Sequence, residues 1–175
     1  MSRISTAAMA RALIAAQAMD LRQKEQLAEE VFRAQPNLLG SVLVLPQLGV
    51  ALSKVDFAVE ILLVCFLAMK ESGVSWPVIT EEDQDRQLQR FVAITRFGDD
   101  LNESLRERSM QQYIADHPEK ALLAYMTSET SKWLTRIVPE ESDKYVMLAI
   151  WNLVNCIAFV PLPGAAGKSC RGQAQ

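Results

Sequence analysis

Few side chains in this 175-residue chain have the types and spacing to carry chemistry. There is one histidine, His117, and there are three cysteines, Cys65, Cys156 and Cys170. A carboxylate-bridged metal centre in a helical bundle draws on two Glu-x-x-His pairs, and zinc is usually held by several His or Cys side chains together. One histidine supplies neither, so no metal and no cofactor is expected. His117 lies in Asp116-His117-Pro118, which reads as a turn between helices with an exposed or structural histidine rather than a general base. Cys65 and Cys156 sit in apolar helical runs, where a free cysteine acts as a small hydrophobe and burial makes the thiol unreactive. Gly167-Lys168-Ser169 has the ending of a phosphate-binding loop, but Leu162 stands where its first glycine is required.

The acids come in clusters: Glu29-Glu30, Glu81-Glu82-Asp83 with Asp85, Asp99-Asp100, and Glu140-Glu141. Magnesium-dependent helical hydrolases use Glu-x-x-Glu pairs on facing helices. No such pair is matched here on a later helix, and most of these acids fall in first turns, where they complement the helix dipole.

Two patterns are harder to assign to capping or solvation. Asp56 and Glu60 are spaced i, i+4 on an apolar helix, and their stripe continues through Leu63 and Leu67 to Lys70. A purely exposed stripe has no need of two leucines, and a purely buried one does not carry two acids. That mixture suits a cleft edge or a subunit contact with a wet rim. The last helix carries Trp151, Asn152 and Asn155 on a segment apolar on nearly all sides, and buried Asn side chains must find partners. Trp76 precedes Pro77 in a linker, where it either folds back over the core or anchors an interface. These eight residues are the candidate ligand or interface positions. No catalytic residue is assigned.

The elements that must position them are read from helix punctuation. The segment from residue 3 to 19, with Arg11 inside its apolar run, reads as an amphipathic helix rather than a signal peptide, either separate from the next helix or continuous with it. Asp20 caps a helix to Ala34, and Pro36 closes it. Asn37 is expected to cap a short helix over Leu38–Leu45. The run Ser41-Val-Leu-Val-Leu45 is compatible with a strand, but no second strand-like run can pair with it. Ser53-Lys-Val-Asp56 and Thr80-Glu-Glu-Asp83 read as capping boxes, the first opening a helix that Gly73 terminates near Glu71. The second helix ends near Gly98, and Asp100 with Glu103 opens another to about Asp116. Pro118 and Pro139 fit first helical positions, the latter opening a helix from Glu140 to Val160.

The expected fold is therefore all-α: a single-domain bundle of six to eight helices over residues 1–162, with two central apolar helices near 54–71 and 140–160. Residues 163–175 are poor in large apolar groups and are expected to form a disordered tail. No repeat period suggests a solenoid.

Composition excludes several classes. Half of the residues are hydrophobic and 22% are charged, which is incompatible with a mainly disordered chain. Net charge is -3 and Lys and Arg are scattered, so no nucleic-acid binding is expected. The uncharged stretches Ala34–Ser53 and Tyr145–Gly167 are broken by Pro and Gly or too short, so no stable membrane span is expected. The odd cysteine count gives no disulfide framework and fits a cytoplasmic setting. The functional expectation is a non-catalytic helical interaction or regulatory protein acting as a homodimer, with a further protein partner possible in principle. The alternative is a binder of a small apolar ligand, or an enzyme acting on one, with a pocket between the central helices. Because scattered acids and one histidine cannot build a dedicated metal site, EDTA is expected to leave the melting temperature unchanged. A clear fall on chelation contradicts this reading.

Overall fold

The computed structural model describes residues 2–99 and 103–163. Among them the backbone forms eight α-helices and no strand. The helices are α1 (Thr6–Ala18), α2 (Leu21–Ala34), α3 (Pro36–Leu43), α4 (Leu52–Glu71), α5 (Glu81–Asp99), α6 (Glu103–Asp116), α7 (Lys120–Leu134) and α8 (Asp143–Phe159). A 3-10 turn at Leu45–Leu48 joins α3 to α4. The expected disordered tail falls, beyond residue 163, outside the described residues.

Several helix starts follow from local hydrogen bonding. The Ser5 hydroxyl accepts the Ala8 N–H at 3.1 Å and caps α1, and extended backbone at Met19 and Asp20 separates α1 from α2. Asp20 and Gln23 exchange side-chain and backbone bonds of 2.8 and 2.9 Å in a capping box. Thr80 and Asp83 do the same at 3.1 Å in both directions. The Thr80 N–H bond is the main reason the Asp83 carboxyl lies below its ordinary pKa. Gly73 takes φ +69° after α4, a left-handed conformation that glycine adopts without steric cost.

Four expected starts are displaced. Asn37 does not cap α3. Pro36 is its first residue, and the Asn37 amide donates instead to the Ile79 carbonyl at 2.9 Å. Ser53 and Asp56 form no box, because α4 begins earlier, at Leu52, with Ala51 at its cap. The turn before it is fixed by Gly49 at φ +83° and a Val50 N–H bond to the Leu45 carbonyl, so the chain is already helical at Ser53. Pro118 precedes the α7 cap residue Glu119. Pro139 lies before a turn that the Asp143 carboxylate locks by accepting the Glu140 N–H at 2.8 Å, and α8 starts only after that turn.

The core is built around α4. Every residue from Ile61 to Met69 is buried, and α4 packs against α1, α2, α3, α7 and α8. α8 is the second central helix, with Val146, Ile150, Leu153, Val154 and Ile157 buried. α5 lies on α8, and α6 touches α5 and α7, so these two form an outer layer. No helix among the described residues is long and apolar enough to cross a membrane.

One buried ionic group joins the starts of the two central helices. Lys54 donates to Asp143 at 2.6 Å and to the Val138 carbonyl at 3.0 Å, and it pairs with Glu140 at 2.9 Å. Burial alone would lower the Lys54 pKa, but the bonds to Asp143 and Glu140 outweigh it and hold it above its ordinary value. Burial likewise works against the Asp143 carboxylate, yet the Lys54 and Glu140 N–H bonds hold its pKa below the ordinary value. Removing one member of such a pair strands the other in the interior. Lys54→Met is therefore expected to lower the urea midpoint more than the double change Lys54→Met with Asp143→Leu. Equal midpoints, or a larger loss in the double variant, contradict the assignment.

Candidate functional site

Three of the sequence candidates meet at one place. Trp151, Asn152 and Asn155 lie on the side of α8 that receives α5 and α6. The Phe91 ring of α5 stacks on Trp151 with centroids 5.2 Å apart. Tyr113 of α6 contacts Phe91, Trp151 and His117, and its hydroxyl donates to Asn155 Oδ1. Asn152 donates to the Gln84 carbonyl at 3.1 Å. The seam between outer layer and core is thus aromatic and polar rather than aliphatic.

His117 lies at the end of this seam, and of the two expectations for it the exposed one is overturned and the structural one holds. The residue is only 1% exposed. Its ring meets Tyr113 and Phe159 edge-on at 5.9 and 5.7 Å. Nδ1 accepts the Glu119 N–H at 3.2 Å, which places the proton of the neutral ring on Nε2. Asn155 lies beside the ring, but Nε2 makes no hydrogen bond. Three more buried side-chain atoms along the seam lack partners: Gln84 Nε2, Gln87 Oε1 and Asn152 Oδ1. Each such atom costs about 1–3 kcal/mol relative to a satisfied one.

A pocket of about 270 Å3 opens beside His117, lined by Arg90, Ile94, Tyr113, Asp116 and Phe159 among others. The Arg90 guanidinium lies 4.2 Å from the centre of the Phe159 ring, within cation–π range. Larger pockets open between other helices: about 710 Å3 between α1 and α7, and about 670 Å3 where the N-terminal segment crosses the α6–α7 junction. Among the described residues no three or more His, Cys, Asp or Glu side chains are grouped as metal ligands. Burial pushes the Cys65 and Cys156 thiols up to about 12, which leaves them protonated and poor nucleophiles.

The other five candidates lie elsewhere. Asp56 and Glu60 are exposed on α4, whereas Leu63 and Leu67 are 4% and 6% exposed within the single chain. α2 crosses beside this stripe: Lys24 pairs with Glu60 at 2.6 Å and Glu30 with Lys70 at 2.7 Å, and Leu27 and Val31 are the buried residues of the same helix. The stripe requires no second copy to cover it. Trp76 folds back onto the end of α4, where its Nε1–H donates to the Met69 carbonyl at 3.0 Å and Arg3 lies over its ring.

Sequence reasoning missed Glu119, the most deeply buried carboxylate among the described residues. It accepts hydrogen bonds from Ser2 Oγ, Arg3 N and Ile4 N at 2.8, 2.8 and 3.0 Å, and Arg3 in turn donates to the Val160 carbonyl at 2.7 Å. It also missed Arg90, Phe91 and Tyr113. The signal for Phe91 was available: Gln84, Gln87, Phe91 and Ile94 fall on one helical face of a segment otherwise dominated by charge. Comparison of the chain with family models, curated proteins and solved structures finds no match.

Burial, together with the Arg90 charge, holds the His117 pKa below the ordinary 6.5 against the opposing influence of Asn155 and Glu119. The folded state therefore takes up this proton at lower pH than the unfolded chain does. The contribution of the neutral ring is complete above the unfolded value and declines as pH falls through it toward the folded one. Unfolding free energy is expected to fall between about pH 7 and pH 5, and a His117→Phe variant should show a flatter profile over that window. Identical profiles for the two proteins contradict a buried neutral histidine.

Proposed function

We propose that this protein is a non-catalytic helical interaction protein that works as a homodimer, associating through one uncharged end of the bundle. The observation that carries this reading is the distribution of exposed large apolar side chains. Leu43, Val44, Leu48 and Leu52 follow one another through the end of α3, the 3-10 turn and the first residue of α4. Leu134 and Val138 are exposed in the α7–α8 connection. That connection lies against the same end of α4, because Lys54 holds the Val138 carbonyl and Phe57 stacks on Trp133 at 4.7 Å. Val138 and Leu52 are 78% and 72% exposed, so a partner surface that covered them would remove aliphatic area from water.

The chemistry of this end suits a self-complementary contact. The stretch from Ala34 to Ser53 has no charged residue, so an apolar centre is available without desolvating an ion. Arg136, Glu140 and Glu141 in the neighbouring connection are exposed and furnish a polar rim. Twofold dimers are the commonest way for one surface to cover itself. The cytoplasmic setting belongs to the same proposal. It is supported by Cys65 and Cys156, which are buried free thiols.

Light scattering at micromolar concentration tests the reading. About twice the 19.5 kDa chain mass is expected for the wild type, and the single-chain mass for Leu52→Asp with Val138→Asp at unchanged helicity. Both positions are exposed, so the double change should not unfold the protein. A wild type that remains at the single-chain mass, or a dimer indifferent to the two substitutions, rejects association through this end.

A further inference from the structure

We propose that the pocket between α5, the end of α6 and the last turn of α8 binds a small monocarboxylate with an apolar or aromatic body. This inference is independent of the association reading and rests on four observations. The first is an unused donor: His117 is 1% exposed, its Nδ1 is occupied by the Glu119 N–H, and the Nε2–H has no partner. The second is a positioned cation: the Arg90 guanidinium is held against the Phe159 ring at 4.2 Å, at the edge of the same pocket. The third is the space beside both, a pocket of about 270 Å3 that His117 and Arg90 line together. The fourth is the lining itself, in which Ile94, Phe159 and the Tyr113 ring supply apolar walls.

The ligand class follows from what these groups lack. A planar guanidinium and a neutral imidazole N–H are both donors, and a carboxylate is the small group that can accept from both. The walls favour an apolar body behind the charge. Asp116 sets the upper limit on charge. It also lines the pocket, with its Oδ2 accepting the Gln112 amide at 2.7 Å, so a second anionic group on the ligand would meet a carboxylate. The site therefore discriminates a monoanion from a dianion of the same shape.

His117 is the only histidine in the chain, which makes its ring resonances an unambiguous reporter. The experiment titrates ring-labelled full-length protein with benzoate at fixed pH and follows those resonances. The expected result is a saturable shift with a Kd of about 1 mM, in the weak small-ligand range. Arg90→Gln, at an exposed position, is expected to weaken binding about tenfold, the scale of one charge-assisted contact. Terephthalate, the corresponding dianion, should bind more weakly than benzoate. Calorimetry on His117→Gln supplies a second reading if the ring signal is broad: the benzoate heat should disappear while the variant keeps its helicity. No saturation by about 10 mM, equal affinity in Arg90→Gln, or equal affinity for the dianion overturns the proposal.

Discussion

The arrangement of the whole molecule depends on burying one helix from all sides. From Ile61 to Met69, α4 has no residue with appreciable exposure, so no face of it is left for solvent. A helix in that position must be surrounded, and the neighbouring segments supply the cover: α1, α2, α3, α7 and α8 all pack on it. Even the charged edge of α4 follows this logic. Glu60 and Lys70 reach outward to Lys24 and Glu30 on α2, so the helix that covers Leu63 and Leu67 is also tied down by ions at its margin. Such exposed pairs contribute little each, and the burial beneath them dominates the energy.

The two ends of the central pair are secured differently. At one end the buried Lys54 joins α4 to Asp143 and to the turn that starts α8. At the other, Glu119 gathers the N-terminal segment through three hydrogen bonds, and Arg3 carries that segment onto the last carbonyls of α8. Cationic donors at a helix C-terminus satisfy carbonyls that have no intrahelical partner and complement the dipole. The outer layer is held by different groups. α5 rests on α8 through one aromatic stack and a row of amides, several of whose atoms are buried without partners.

Legibility in the sequence followed the range of the interactions. The caps at Asp20 and Thr80 were readable because donor and acceptor lie three residues apart, and the apolar character of α4 and α8 was readable because burial on every side leaves no polar stripe. The box at Ser53 was misread for an equally local reason: the preceding turn, fixed by Gly49 and the Val50–Leu45 bond, had already started the helix. The contacts of longer range were not legible. Leu63 and Leu67 beside two acids suggested a subunit contact because nothing in the sequence shows α2 laying Lys24 and Glu30 along that edge. At the candidate site, Asn155 announced that it needed a partner, but not that the partner is Tyr113, 42 residues earlier. His117 was placed correctly between two helices, and its burial depends on Phe159 and Glu119, which the local sequence around a turn does not reveal.

The central claim is that one chain alone encloses α4. Native-state amide exchange as a function of denaturant tests it most directly. The account requires the amides from Ile61 to Met69 to exchange only with global unfolding, and to do so equally in the Leu52→Asp, Val138→Asp protein that is held to a single chain. Exchange of these amides through a local opening, in the wild type or in the single-chain variant, would show that the central helix depends on a second copy for its cover and would contradict the account.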